Sequence, residues 1–141
     1  KKYHPSGNLG KKLRTVEDLM LTGAKVPFIN EDAKIEKVIN LINKKKLGVV
    51  IARNRKLETC GIFTDGDIKR TIQLNKKLQD KPIKTYMTKN PISIDKDMLA
   101  ENALGIMNEK KVTSICVHKN LNKKKTIGIL HIHHLINADI S

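Results

Sequence analysis

Three short stretches hold residues whose types and spacing can do chemistry. Thr64-Asp65-Gly66-Asp67 follows an apolar run and opens a polar one. A threonine with an aspartate three residues on is a variant of the capping box, each side chain accepting a bond from the other's backbone N–H at a helix start. The same corner can bind: free N–H groups and the positive helix end favour a phosphate, and Asp67 can accept hydrogen bonds from sugar hydroxyls. Lys69 and Arg70 come next. Arg70 is the better oxyanion partner because its fork donates twice, with a solvated helix face as the plain alternative. His131-Ile132-His133-His134 is the densest histidine cluster. No Cys or acidic residue adjoins it, and zinc wants three or four ligands, so no metal is expected. The cluster reads either as the edge of a ligand site that favours anions when protonated or as helix-start histidines facing water. Thr113 and Ser114 open an apolar run. Their hydroxyls either face a ligand or simply begin a strand.

Enzyme constellations are missing. The chain has no G-x-S-x-G, no P-loop and no G-x-G-x-x-G. Its acidic residues gather where helices should begin, as Glu31-Asp32, Asp95 and Asp97 do, which dipole complementarity explains without acid–base chemistry. Cys60 and Cys116 form no C-x-x-C motif and no disulfide framework, which fits a reducing cytoplasm. Cys116 lies in an apolar strand, where burial makes a thiol inert.

The elements that position these residues occur twice. Pro27-Phe28-Ile29-Asn30-Glu31-Asp32 resembles Pro91-Ile92-Ser93-Ile94-Asp95-Lys96-Asp97, a short strand running into an acidic helix start. Ile35, Val38, Ile39 and Ile42 follow at the spacing of one helix face. Sixty-five positions later stand Ala100, Ala103, Leu104 and Met107. Gly48-Val49-Val50-Ile51-Ala52 and Thr113-Ser114-Ile115-Cys116-Val117 read as buried strands, each followed by a polar turn. Gly61-Ile62-Phe63 and Gly128-Ile129-Leu130 open a second strand, and final helices begin near Asp65 and near Ile132. Even the lead-ins agree, Val16 to Met20 with Ile83 to Met87. The pattern predicts an α/β (α+β) chain of two β-α-β-β-α repeats packed as an intramolecular pair, residues 16–80 and 81–141. One such unit has too little core alone, and two packed sheet against sheet bury both apolar faces. Equivalent strand ends then line a cleft between the halves.

Composition bounds the partners. The 141 residues carry 28 Lys+Arg against 14 Asp+Glu, a formal charge of +14, with no Trp and two each of Phe and Tyr. Nucleic-acid modules usually pair a concentrated basic face with stacking aromatics. Here lysines are spread through every segment, so nucleic acid is not expected as a partner; the charge reads as solvation or as a field for a small anion. No run approaches the roughly 18 apolar residues of a membrane span, and no apolar leader opens the chain, so no membrane partner is expected.

Tandem β-α-β-β-α units with Gly61-Ile62-Phe63-Thr64-Asp65-Gly66-Asp67 resemble a pair of CBS domains, a Bateman module. The resemblance implies a regulatory module that binds adenosine nucleotides or related anions in the inter-domain cleft, touches ribose or phosphate through this Thr and Asp, and dimerises readily. His4-Pro5-Ser6-Gly7-Asn8-Leu9-Gly10-Lys11-Lys12-Leu13 narrows it. That segment is similar to the one joining the sugar isomerase (SIS) domain to the CBS pair in bacterial D-arabinose 5-phosphate isomerases. His131-Ile132-His133 also looks like that family, which carries Asp where His134 stands here, and Gly where Ser6 stands. The resemblance implies an SIS domain before residue 1 in the same parent chain, with residues 1–15 as the remnant of the linker from it. It also implies interconversion of ribulose 5-phosphate and arabinose 5-phosphate for Kdo and lipopolysaccharide synthesis, and a cytoplasmic location. This chain alone would not catalyse; His4 matches a family active-site histidine without its partners. The ligand-binding set expected is Thr64, Asp65, Asp67, Arg70, Thr113, Ser114, His131, His133 and His134, with no cofactor required. The pathway points to CMP-Kdo, its activated end product, as effector. An adenosine-nucleotide sensor and a ligand-free oligomerisation module are the alternatives.

Overall fold

Alternation along the central strands dictates a two-faced sheet in each half. In the computed structural model, which describes residues 13–74 and 77–141, β3 (Val49–Arg53) sends Val50 and Ala52 to one side and Val49 and Ile51 to the other. Successive strand side chains must point to opposite faces, so a strand apolar from Val49 to Ala52 needs cover on both. The first cover is α2 (Ile35–Lys45), whose Ile35, Val38 and Ile42 are buried against Val50, Ala52 and Phe63. The second is the other half of the molecule: Val26, Val49 and Ile51 pack on Cys116 and Ile129.

The order is α1 (Val16–Leu19), β1 (Leu21–Thr22), β2 (Phe28–Asn30), α2, β3, β4 (Thr59–Thr64), α3 (Asp65–Gln73), β5 (Thr88–Lys89), β6 (Ser93–Asp95), α4 (Ala100–Lys110), β7 (Ser114–His118), β8 (Gly128–His131) and α5 (Ile132–Asn137). Two four-stranded sheets run β2-β3-β4-β5 and β1-β8-β7-β6. In each, a parallel crossover through a helix (β2 to β3, β6 to β7) precedes an antiparallel hairpin (β3 to β4, β7 to β8). The expected repeat is present down to its helix ends. Lys46 and Lys111 both close their helices in the left-handed region, at φ of 59° and 56°.

The lead-ins do something the linear repeat does not reveal. Each crosses to the other half. Leu21 and Thr22 of β1 pair with Ile129 and Gly128 of the second sheet, and Val16, fully buried, joins Ala100, Met107 and Leu130. Reciprocally, Thr88 and Lys89 of β5 pair with Ile62 and Gly61 of the first sheet, and Ile83 joins Val38 and Phe63. Gly61, which lies inside β4 rather than opening it as expected, and Gly128 at the start of β8 permit this. A Cβ on Gly61 would lie 2.8 Å from the Thr88 carbonyl oxygen and 2.5 Å from Met87 Sδ. On Gly128 it would meet the Leu21 carbonyl at 2.8 Å and Met20 Sδ at 2.6 Å. Among the described residues no helix is long and apolar enough to cross a membrane.

Candidate functional site

Each half ends its hairpin with a strand-to-helix corner. In the first, β4 brings Thr64 opposite Val49, on the face turned toward the other sheet. Thr64 is extended and caps α3: its Oγ1 accepts from Asp67 N at 3.2 Å, while Asp67 Oδ2 accepts from Thr64 N at 2.8 Å and from Thr64 Oγ1 at 3.1 Å. Arg70 Nη2 donates to the other carboxylate oxygen, and Thr71 Oγ1 to the Asp67 carbonyl. Both Asp67 oxygens are therefore occupied. A sugar hydroxyl reaches it by sharing an oxygen or by drawing Arg70 away. Arg70 is two-thirds exposed and keeps its remaining donors for an anion. Asp65 N bonds the Gly48 carbonyl at 2.9 Å. The Asp65 carboxylate lies where a Gly48 side chain would stand, 2.7 Å from the Cβ position, and Gly48 itself has φ +69°. Only glycine suits that approach.

The second corner repeats the geometry with different chemistry. Register sets Ser114 opposite His131 and Cys116 opposite Ile129, so Ser114 and His131 share the inter-sheet face. His131 takes the place of Thr64, and its Nδ1 accepts from His133 N at 3.1 Å. His134 takes the place of Asp67, and its Nδ1 accepts from His131 N at 3.1 Å. The rings gather: His131 stacks on His133 at 4.8 Å and meets the edge of His134 at 6.0 Å. Both capping nitrogens act as acceptors only when unprotonated. Burial first, then the neighbouring His133 and His134, holds the His131 imidazole below its ordinary 6.5. Burial and His133 do the same for His134. Thr113 is exposed, its carbonyl accepting from Ile132 N at 2.8 Å. Ser114 is 8% exposed, and its Oγ has no hydrogen-bond partner among the described residues.

The nine expected ligand residues thus divide between two equivalent corners, one in each half. Thr64, Asp65, Asp67 and Arg70 make the first; Thr113, Ser114, His131, His133 and His134 make the second. His4 and most of its segment lie outside the described residues. No group of three or more His, Cys, Asp and Glu among the described residues is disposed to hold a metal ion.

Sequence reasoning missed the other end of the inter-sheet face. There Ser93 Oγ and His118 Nδ1 lie 2.6 Å apart, and in the equivalent place the Arg53 guanidinium stacks 3.7 Å above the Phe28 ring. The signal was present: Ser114, Cys116 and His118 alternate along β7, so a polar pair flanks the buried thiol on one face. Burial pushes the Cys116 thiol up to about 11, and burial with Glu31 beside it raises Cys60. Both thiols are poor nucleophiles. An open hollow of about 400 Å³ beside β2 and α2, lined by Phe28, Asn30, Lys37 and Lys44 among others, contains none of the expected residues.

Comparison with known proteins follows the same division. The CBS domain family profile matches residues 16–74 and again 83–141. The arabinose 5-phosphate isomerase KdsD of Salmonella typhimurium (strain LT2) is 33% identical over 138 residues, which is 97% of this chain and 41% of the relative. The chain therefore spans less than half the length of the curated relatives it matches. Among solved structures, the CBS-domain containing protein ATU1752 from Agrobacterium tumefaciens matches 99% of this chain and 100% of its own, with a TM-score of 0.80 and 20% identity. The CBS domain pair of protein MJ0100, solved in complex with 5-methylthioadenosine and S-adenosyl-L-methionine, matches 91% of this chain and 97% of its own, with a TM-score of 0.78 and 17% identity. At these identities the likeness is one of fold.

Proposed function

The chain belongs to the CBS domain family as a tandem pair, and from that premise we propose that it is the regulatory module of a D-arabinose 5-phosphate isomerase, binding an anionic nucleotide or nucleotide-sugar. The relative named as that isomerase supports the parent activity, which would reside in a domain outside this chain, in the cytoplasm. The observation that carries ligand binding is Ser114. A buried hydroxyl without a partner costs about 1–3 kcal/mol, and this one sits beside His131 on the inter-sheet face. A ligand oxygen or ring nitrogen there would satisfy it. Thr113 and the exposed edge of His133 would line the approach, while Arg70 would serve an anion at the first corner. CMP-Kdo is our choice of ligand, as the end product of the pathway that such an isomerase feeds. Because lead-ins cross between halves, a ligand between the sheets would tighten both at once. That coupling is allostery only if effector and substrate affinities prove linked.

Thermal shift with CMP-Kdo, CMP, CTP, AMP, ATP, S-adenosylmethionine and arabinose 5-phosphate tests this. A ligand at 100 times its dissociation constant adds about 2.7 kcal/mol. The expected result is a rise with CMP-Kdo that Ser114→Ala reduces. A rise confined to adenosine compounds, the ligand class of the MJ0100 pair, would make this an adenosine-nucleotide sensor. A second reading is favoured by Ile72, Leu74 and Ile136, which are 64%, 67% and 56% exposed in or beside α3 and α5. Apolar side chains left on these terminal helices suit self-association into a dimer or higher oligomer. If no ligand moves the midpoint and the chain sediments as a dimer, the oligomerisation role stands instead.

A further inference from the structure

The fold joins two basic turns that are far apart in sequence. The β3–β4 turn carries Arg55 and Lys56, and the β7–β8 turn carries Lys119, Lys123, Lys124 and Lys125, all exposed. Thr59 N donates to the Lys124 carbonyl at 2.7 Å, and Thr59 Oγ1 meets Thr126 Oγ1 at 2.6 Å. One pole of the molecule therefore presents six cations. The acid within these turns, Glu58, is half-buried and accepts from Asn54 Nδ2 at 3.0 Å. Of the acids at the ends of β2 and β6, Glu31 lies beside Cys60, Asp32 is paired with Lys84, Asp95 accepts from Asp97 N, and Asp97 is paired with Lys96.

Each turn also holds up a leucine. Leu57 and Leu121 are 60% and 85% exposed, at φ of +62° and +60°. Left-handed backbone is strained for a branched side chain. The turns impose it: Asn54 Oδ1 accepts from Lys56 N and Glu58 N at 2.9 Å, and Leu57 N bonds the Asn54 carbonyl at 3.0 Å. In the other turn, Asn122 N bonds the Lys119 carbonyl at 3.0 Å, and Lys123 N the Leu121 carbonyl at 3.1 Å. Beside Leu121 a hollow of about 90 Å³, lined by Lys119, Asn120, Asn122, Lys125 and Ile127, has the size and donors for one phosphate group.

We propose that this pole docks on an anionic phospholipid bilayer, Leu57 and Leu121 dipping between headgroups while the lysines and arginine meet lipid phosphates. The expectation of no membrane partner rested on the absence of a spanning segment, and a peripheral contact is a different chemistry. Two apolar tips framed by cations fit the bilayer interface, where apolar insertion and attraction to anionic lipid add. Nucleic acid fits less well, since neither turn holds an aromatic for stacking and leucines offer bases nothing specific. A second copy is repelled by like charge.

The test is co-sedimentation of the 141-residue chain with vesicles of phosphatidylcholine alone, or with about a third phosphatidylglycerol. The expected result is at least about tenfold stronger binding to the anionic vesicles, lost near 1 M salt. Leu57→Asn with Leu121→Asn should keep the thermal midpoint, because asparagine tolerates left-handed backbone, yet lose about tenfold in vesicle binding. Lys119→Ser with Lys125→Ser should lose a similar amount, and Lys44→Ser with Lys45→Ser, the same charge removed from α2, should lose little. The proposal is overturned if the chain stays in the supernatant with both vesicles. It is overturned equally if the leucine variant sediments like the wild type, or if both charge variants weaken binding alike. Tight binding to single-stranded RNA, undiminished in the leucine variant, would assign the pole to nucleic acid and also overturn it.

Discussion

His134 stands where the first half has Asp67, and it does the same capping work with a nitrogen instead of a carboxylate. The substitution preserves shape and changes pH behaviour. Since His131 and His134 are both held below 6.5, the unfolded chain takes up their protons before the folded one. The stability that the two neutral rings contribute is complete above about pH 6.5 and is lost as pH falls through their lowered folded values. A protonated ring also loses its capping lone pair and brings positive charge to the positive end of α5. The double variant His131→Thr with His134→Asp should therefore gain about 0.5–2 kcal/mol near neutral pH. Its melting temperature should fall less than the wild type's between pH 7 and pH 5. Calorimetry across that range decides it; a wild type that grows more stable on acidification would refute the assignment of lone pairs. Thr64, Asp65, Asp67 and Arg70 include no histidine, so the two corners should respond differently to pH although their backbones match.

At the scale of elements, glycine placement separates close packing from open space. Gly61→Ala and Gly128→Ala each push a methyl against a backbone carbonyl of the crossing lead-in strand as well as a methionine. The methionine can move; the carbonyl cannot without loosening β5 or β1. Each variant should lose about 1–3 kcal/mol by chemical denaturation. Gly105→Ala is the contrast. Gly105 lies in α4 with nothing within 4 Å of its Cβ position, so alanine should gain roughly 0.5–1 kcal/mol by helix propensity. If all three shift alike, packing of the lead-ins is not what these positions serve.

At the scale of the molecule, the crossing makes each half incomplete without the other. Residues 13–80 contain α1, which packs on the second half, and β1, which belongs to the second sheet, and lack Ile83 and β5, which complete the first half. Separation would also expose Val49 and Ile51, each about 1% exposed or less and worth roughly 1.5–3 kcal/mol when buried. Losses of that kind rival the net stability of a whole domain. Fragments 13–80 and 81–141 should each show no cooperative melting by circular dichroism, and mixing them should restore a single transition. Two independently melting fragments would contradict the interlocked core.

The repeat, its helix faces and the two strand-to-helix corners were legible in the linear sequence because each depends on local spacing. Period 2 and period 3.6 decide which face of a strand or helix is apolar, and a capping pair three residues apart marks a helix start wherever the chain goes. Even the exchange of Thr64 and Asp67 for His131 and His134 could be located by alignment of the halves. What His134 does there could not, since an imidazole caps only if its ring turns Nδ1 toward the backbone, and burial then sets its protonation. The crossing of the lead-ins was equally hidden. Val16 and Ile83 are apolar in either arrangement, and only long-range pairing chooses which sheet they complete. The unpartnered Ser114 hydroxyl and the joined basic turns belong to the same class, because solvation and charge density depend on what lies nearby in space, which spacing along the chain does not specify.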